Sequence, residues 1–248
     1  MERRAGGLTG NQIKWIAIFA MLIDHLAWAF VPTYSALGQA MHIVGRITAP
    51  TMCFFIAEGY AHTRSVGRYA LRLGIFALIS QAPFTYFETG KLQLFSDRFL
   101  ATGDPSEAFS VIYTLFLSLL AVWAWDSIRS ALLRFLAVGG LCILALPGDW
   151  MFFDVLFSVV FWIYRDDRRE QAKQFAVLAA LTVATSCALA LLAGQPAYTQ
   201  LFQAGLFLCL PILLQYNGER GGSRNSKWTF YIFYPAHLAV IGWLESLL

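Results

Sequence analysis

Nine apolar runs, separated by short polar segments, dominate this chain of 248 residues. Most of them approach the length of about 20 residues that a helix needs to cross the hydrocarbon core of a bilayer. Only 13% of the residues are charged, too few to cover a soluble globule of this size. The sequence therefore predicts an all-α, polytopic bundle of about nine transmembrane helices, at residues 13–32, 41–61, 69–87, 109–125, 131–146, 151–164, 174–193, 198–214 and 228–247.

The fifth and sixth runs are short and are joined by Pro147-Gly148-Asp149-Trp150. Either both runs cross the membrane, or the stretch 131–164 forms a re-entrant pair. One longer polar loop, 88–108, follows the third run. We find no repeat of fixed period, and the cysteines lie inside apolar runs without the spacing of a metal site or a disulfide framework. We expect one domain over residues 1–248 and no bound metal.

The basic residues are distributed very unevenly between the two sides of this layout. With a cytoplasmic amino terminus, the inner segments hold 15 of the 18 lysines and arginines. The outer segments hold only Lys91 and Arg98, both in the long loop, and Arg46 lies inside a span. Positive residues collect on the cytoplasmic side of membrane proteins. The charge pattern therefore predicts a cytoplasmic amino terminus.

Several polar side chains lie inside the apolar runs, where they are costly unless they are paired or hydrated, and such residues are candidates for function. A rise of about 1.5 Å per residue places most of them at a similar depth in the outer half of the bundle. We therefore predict a polar pocket between helices. Its candidate residues are Asp24 and His25 in the first run, Arg46 in the second, Gln81 in the third, Asp154 in the sixth and His237 in the ninth, while His42 lies near the outer end of the second run.

Structural alternatives exist for these residues. His25 and the tyrosines of the last run are as easily explained by packing, and Arg46 by a buried ion pair with Asp24. Glu58 is expected to pair with Arg64 or Arg68 near the inner surface. Lys14 and His25 are 11 residues apart, so they share one face of the first helix at about 16 Å along its axis. A long substrate fits along that face.

The residues also resemble a known family through a series of motifs from about residue 12 to residue 240. These motifs resemble the TraX family of bacterial membrane proteins, whose namesake is the acetylase of F-pilin in conjugation. The quoted motifs are Lys14-x5-Ala20-Met21-x-Ile23-Asp24-His25, Val44-Gly45-Arg46-Ile47-x2-Pro50-x3-Phe54, Glu58-Gly59-Tyr60-x2-Thr63-Arg64, Tyr69-x2-Arg72-Leu73, Ile79-Ser80-Gln81-x-Pro83-Phe84 and Lys227-x3-Tyr231-x-Phe233-Tyr234-Pro235-x-His237-Leu238.

The family is similar in outline to the acyltransferase-3 group, which carries a basic residue about ten positions before an essential histidine, as Lys14 and His25 do here. The resemblance implies that the chain moves an acyl group from cytoplasmic acyl-CoA, with acetyl-CoA as the expected donor, across or at the bacterial inner membrane. The implied acceptor is a pilin-like amino terminus or a glycan hydroxyl. The chain departs from the family at Ser110-Val111-Ile112-Tyr113-Thr114, where an asparagine is expected.

On this hypothesis His25 is the general base, and Asp24 pairs with Arg46 and sets the field of the pocket. Asp154 is a candidate to orient His25, and Arg46, Gln81 or His237 would stabilise the oxyanion. A covalent acyl-histidine intermediate stays open. The phosphates of CoA would be held by Lys14, Arg64, Arg72 and Lys227, with Tyr231 and Tyr234 from the carboxyl-terminal motif.

Two other functions would use similar residues. A secondary transporter also needs buried Asp, His and Arg side chains, although no second half of the chain resembles the first. A non-catalytic membrane component of a conjugation or secretion apparatus is the other alternative. Membrane lipid surrounds the chain in every case, and we expect no nucleic-acid partner.

Overall fold

The computed structural model describes residues 6–102, 108–223 and 226–248, apart from the side chains of Arg98, Thr102 and Lys227. The described residues form helices and turns, and none of them forms a strand, which confirms the predicted all-α class. The helices are α1 (Gly10–Phe30), α2 (Ala36–Gly45), α3 (Thr48–His62), α4 (Val66–Thr89), α5 (Asp97–Thr102), α6 (Val111–Ser127), α7 (Ala131–Ala145), α8 (Phe153–Ile163), α9 (Arg168–Leu192), a 3-10 helix (Ala197–Leu208), α10 (Cys209–Leu214) and α11 (Ser226–Glu245).

Each predicted apolar run coincides with helix, and within the described ranges four stretches are long and apolar enough to cross a membrane. These are α1, Ala36–His62, α9 and Ala197–Leu214. The helices α6, α7 and α8 are apolar but shorter. The short helix α5, inside the long polar loop, was not predicted.

The second run is not one helix, because it breaks after Gly45 into α2 and α3. Pro50 explains the break. It has no N–H to bond the carbonyl of Arg46, and its ring would clash with that carbonyl in a continuous helix. The Arg46 amide still bonds the carbonyl of His42 at 3.0 Å, so Arg46 caps α2. The break thus places Arg46 at the end of a helix.

The chain divides into two compact units. The first unit comprises Met1–Met52 and Ile163–Ser226, and the second comprises Cys53–Trp162 and Lys227–Leu248. In the first unit α1 packs on α2, and the 3-10 helix packs on both α2 and α9. In the second unit α6 packs on α4 and on α7.

The start of α1 is fastened to the segment that follows α10, in the first unit. Thr9 and Gln12 form a capping box. The amides of Leu8 and Gly10 donate to the carbonyls of Gln215 and Glu219, both at 2.8 Å. These bonds satisfy amides that a helix start otherwise leaves open, and they fix the position of Lys14 one turn further along.

Candidate functional site

Asp24 is the centre of a buried polar cluster in the first unit. It lies on α1 and is 7% exposed. One carboxylate oxygen accepts a hydrogen bond from Nη2 of Arg46, and the other lies 2.8 Å from Nδ1 of His42. The expected ion pair between Asp24 and Arg46 is confirmed. One acid and one guanidinium give this pair no net charge, and the ion pair is shielded from solvent.

The contact between Asp24 and α2 depends on Gly45. A Cβ atom at Gly45 would lie 2.3 Å from both Cβ and Cγ of Asp24. Only a residue without a side chain lets the two helices approach so closely. The 3-10 helix also approaches α2 closely, because a Cβ at Gly205 would lie 2.1 Å from the carbonyl oxygen of Ile43.

His42 is the member of this cluster that sequence reasoning noticed but did not assign to the site. It is fully buried, and its ring centroid lies 4.2 Å from the ring of Trp28 and 5.2 Å from that of Phe202. The guanidinium carbon of Arg46 lies 5.2 Å from the centre of the same Phe202 ring. The spacing of His42 and Arg46, four residues apart on one helix, was the signal that could have grouped them.

His25 follows Asp24 on α1 and is half-buried. Its Nδ1 lies 2.9 Å from the carbonyl oxygen of Met21. A carbonyl only accepts, so Nδ1 carries the hydrogen and the lone pair of the neutral ring is on Nε2. The charges of Asp24 and Arg46 act on this ring. His25 therefore has the Nδ1–H tautomer, and its role as a base stays a prediction.

Lys14 lies about three turns before His25 on α1. It is half-buried, and the charge of Arg220, from the segment after α10, acts on it. These two cations belong to the first unit.

Gln81 lies on α4 in the second unit and holds the long loop. Its side-chain amide donates to the carbonyls of Ala108 at 2.7 Å and Leu94 at 3.1 Å, and its oxygen accepts from the amide of Ser110 at 3.3 Å. Leu94 within the loop and Ala108 at its end thus converge on one buried side chain. Its role as an oxyanion donor stays a prediction.

Asp154 lies at the start of α8 and is fully buried in the second unit. Its oxygens lie 2.6 Å from the hydroxyl of Thr114 and 3.4 Å from the thiol of Cys53. Nδ1 of His25 donates to the carbonyl of Met21 on its own helix. That Asp154 orients His25 remains a prediction.

His237 and Tyr234 are buried on α11 in the second unit. Nδ1 of His237 donates to the carbonyl of Phe233 at 2.8 Å, and its ring stacks on that of Phe233 at 4.8 Å. The ring of Tyr234 meets it edge-on at 5.7 Å. His237 therefore has the same Nδ1–H tautomer as His25.

Two residues predicted to bind CoA do meet in the second unit. Nε of Arg72 donates to the hydroxyl of Tyr231 at 3.1 Å, and its guanidinium lies over the rings of Tyr69 and Tyr231 at 5.2 and 5.5 Å. Arg64 is exposed. The side chain of Lys227 lies outside the described residues.

The predicted ion pair of Glu58 with Arg64 or Arg68 is wrong. Glu58 is buried near the end of α3 and lies 3.9 Å from Nδ1 of His62, one turn later. The helix ends at His62. Arg64 and Arg68 lie beyond that end and are exposed. In the described part of the chain no group of three or more His, Cys, Asp or Glu side chains is arranged to hold a metal ion.

Comparison with known proteins identifies a family and a relative. The family model described as TraX protein matches residues 9–245. A probable fimbrial assembly protein FimC, serogroup H1, of Dichelobacter nodosus is 33% identical over 234 residues, which cover 93% of each chain. No solved structure matches the chain. The matched residues include most of both units and every residue of the buried cluster, and the chain therefore belongs to the TraX family.

Proposed function

We propose that the chain is a membrane-bound acyltransferase that moves an acetyl group from cytoplasmic acetyl-CoA to an amine or hydroxyl acceptor at the bacterial inner membrane. The observation that carries the proposal is the cluster on α1 and α2. His25 presents a basic Nε2 beside the buried pair of Asp24 and Arg46, about three turns from Lys14. This arrangement supplies a base, a fixed electrostatic field and a cation at the inner end of one helix.

The proposed chemistry is direct transfer. The acceptor nucleophile attacks the thioester carbonyl while its proton passes to Nε2 of His25. Arg46 stabilises the oxyanion of the tetrahedral intermediate. The carbon–sulfur bond then breaks, and the thiolate of CoA takes the proton back from His25. His25 thus ends the cycle neutral, and Asp24 keeps Arg46 in place throughout.

Donor binding is proposed to use cations at the inner ends of helices. Lys14 supplies a point charge for a phosphate in the first unit. Arg72 suits a phosphate because Tyr231 holds its Nε and leaves the two terminal amino groups of the guanidinium as donors. The further predicted contacts are Arg64, Lys227 and Tyr234, and each is tested by the acetyl-CoA affinity of its alanine variant.

We propose nine crossings with a cytoplasmic amino terminus. Contacts inside each unit support this layout, because they join segments that it places on the same side. Such pairs are Leu8–Tyr216, Tyr60–Asp126 and Arg72–Tyr231 on the inner side, and Gln39–Thr199, Tyr86–Ser246 and Phe109–Gly148 on the outer side. The alternative is that the short helices α7 and α8 form a re-entrant pair, which lowers the number of crossings and leaves the sides of the flanking segments unchanged.

The test of the enzyme is release of CoA from acetyl-CoA by the purified protein. Two probe acceptors are added in turn: a short peptide with a free amino terminus, and an oligosaccharide with free hydroxyls. We expect His25→Gln and His25→Ala to lower turnover by about two to four orders of magnitude, the usual range for general-base catalysis. Full activity in both variants removes His25 as the base.

His62→Gln is the matched control. Nδ1 of His62 donates to the carbonyl of Glu58 at 2.8 Å, the same bond to the preceding turn that His25 makes. His62 is exposed and has no proposed role. Turnover by His62→Gln at the wild-type rate shows that the loss in His25→Gln does not come from removing any helical histidine.

A second candidate function follows from the name of the relative, a fimbrial assembly protein. In that case the chain is a non-catalytic component of a pilus assembly apparatus. Complementation of a deletion strain separates the two. Pili restored by His25→Ala as fully as by the wild type favour assembly without catalysis, as does a purified protein that fails to bind acetyl-CoA.

A further inference from the structure

Nε2 of His42 is a buried ring nitrogen to which no described residue donates a hydrogen bond. His42 has no exposed surface. Its other ring nitrogen is held by Asp24 at 2.8 Å, and aromatic rings lie on its sides. Buried polar atoms without a partner are rare in folded proteins, and each one calls for an explanation.

The chemistry of the cluster fixes what Nε2 can do. A carboxylate oxygen only accepts, so Nδ1 of His42 carries a hydrogen. Arg46 already neutralises Asp24, and a third charge in this dry setting would lack a counter-ion. The ring is therefore neutral, with a lone pair on Nε2. That lone pair needs a donor from outside the described residues.

We propose that His42 is an acceptor-binding residue of the acetyl-transfer site. Its Nε2 accepts a hydrogen bond from a hydrogen of the acceptor other than the one that His25 removes. For an amine this is the second N–H hydrogen, and for a sugar it is a neighbouring O–H. No bond to His42 forms or breaks, and it stays neutral through the reaction. This inference rests on the proposed function and adds a specificity rule to it.

Trp28 is the more exposed of the two aromatic residues that contact His42. The ring of Trp28 lies against the ring of His42, and Trp28 is 47% exposed. Phe202, whose ring also contacts His42, is only 2% exposed. A half-exposed indole can rotate away, but a buried phenyl ring cannot. On this proposal, an acceptor reaches His42 from the side of Trp28.

The rule is tested by removing the second hydrogen from the acceptor. Whichever probe the wild type acetylates is compared with a version that lacks that hydrogen: an N-methylated amino terminus for the peptide, or a methyl ether at the neighbouring position for the oligosaccharide. We expect the wild type to prefer the parent probe about tenfold or more in kcat/KM, since a site built for a hydrogen bond rejects an analogue that cannot make it. This comparison needs no variant to fold.

The same two probes are then compared with the His42→Asn variant. Its amide nitrogen replaces Nδ1 as the donor to Asp24, but no atom replaces Nε2. We expect this variant to keep its melting temperature and acetyl-CoA affinity, to raise KM for the parent probe, and to lose the preference between the two probes. His42→Phe, which removes both nitrogens, should lose the preference and also lower the melting temperature, because it leaves Asp24 with one partner.

The outcomes separate the two proposals. A wild type that acetylates neither probe, nor any component of native membrane vesicles supplied with labelled acetyl-CoA, overturns the proposed function and this inference with it. An active wild type without preference between the probes overturns only the inference. A preference that survives in His42→Asn also overturns it, because the discrimination then comes from steric exclusion.

Discussion

At the scale of single residues, the ion pair of Asp24 and Arg46 is a feature whose loss should be severe. Asp24→Asn removes the negative charge of the pair and leaves the buried guanidinium of Arg46 without the carboxylate that neutralises it. Breaking a buried pair in this way costs about 3–5 kcal/mol. We expect a large fall in the melting temperature of the detergent-solubilised protein, together with loss of acetyl transfer.

Asp97→Asn is the control for this prediction. Asp97 also pairs with a cation, Lys91, but both side chains are mostly exposed, and surface pairs contribute little. Lys91 lowers the pKa of the Asp97 carboxyl, so the pair is formed at neutral pH, and its small contribution is lost only as the pH falls through that lowered pKa. Equal melting temperatures for Asp24→Asn and Asp97→Asn would show that the Asp24 pair is not shielded.

Asp154 is buried like Asp24, but replacing it by asparagine should have little effect on stability. The single hydrogen of Thr114 Oγ1 faces two acceptors, the carbonyl of Val111 at 2.9 Å and the Asp154 oxygen at 2.6 Å. A neutral acid resolves the conflict, because it donates to Thr114 while Thr114 donates to Val111. We expect Asp154→Asn, which keeps a donor there, to unfold within about 1 kcal/mol of the wild type. A loss as large as that of Asp24→Asn would show that the carboxylate is charged.

At the scale of helices, the close approach of α1 and α2 depends on one glycine. An alanine at Gly45 would place Cβ at 2.3 Å from Asp24, so Asp24 must move away from Arg46 and His42. We expect Gly45→Ala to lower the melting temperature and the rate of acetyl transfer together.

Gly139→Ala is the matched control on α7. A Cβ there meets nothing within 4 Å, and alanine is favoured over glycine inside a helix by about 0.5–1 kcal/mol. Gly139→Ala should therefore be neutral or slightly stabilising. Loss of activity in both glycine variants would mean that helix propensity, rather than the contact with Asp24, decides the outcome.

At the scale of the whole molecule, the proposed layout predicts which surface positions face the cytoplasm. In a protein without its four native cysteines, single cysteines replace Lys91, Gln195, Arg129 and Lys173. An impermeant maleimide added to intact cells should label the first two positions only. Labelling at Arg129→Cys from outside would reverse or break the proposed topology.

The amino-acid sequence determined the nine helical runs and one buried ion pair. Helix formation in apolar runs depends on local periodicity and length, so all nine runs are helical as predicted. The pairing of Asp24 with Arg46 followed from charge, since two opposite charges in apolar spans have few other partners. The sequence also contained the reason for the break after Gly45, because Pro50 acts on the backbone four residues earlier.

Tertiary packing decided how the polar residues are used. His42 joins Asp24 because a glycine lets two helices touch, and Gln81 binds carbonyls of Leu94 and Ala108 in the following loop because those carbonyls need a donor. Such partners lie far apart in the chain, and no periodicity encodes which of them meet. A buried donor or acceptor takes whichever partner the packing brings within about 3 Å, so the partners of polar groups had to come from the three-dimensional structure.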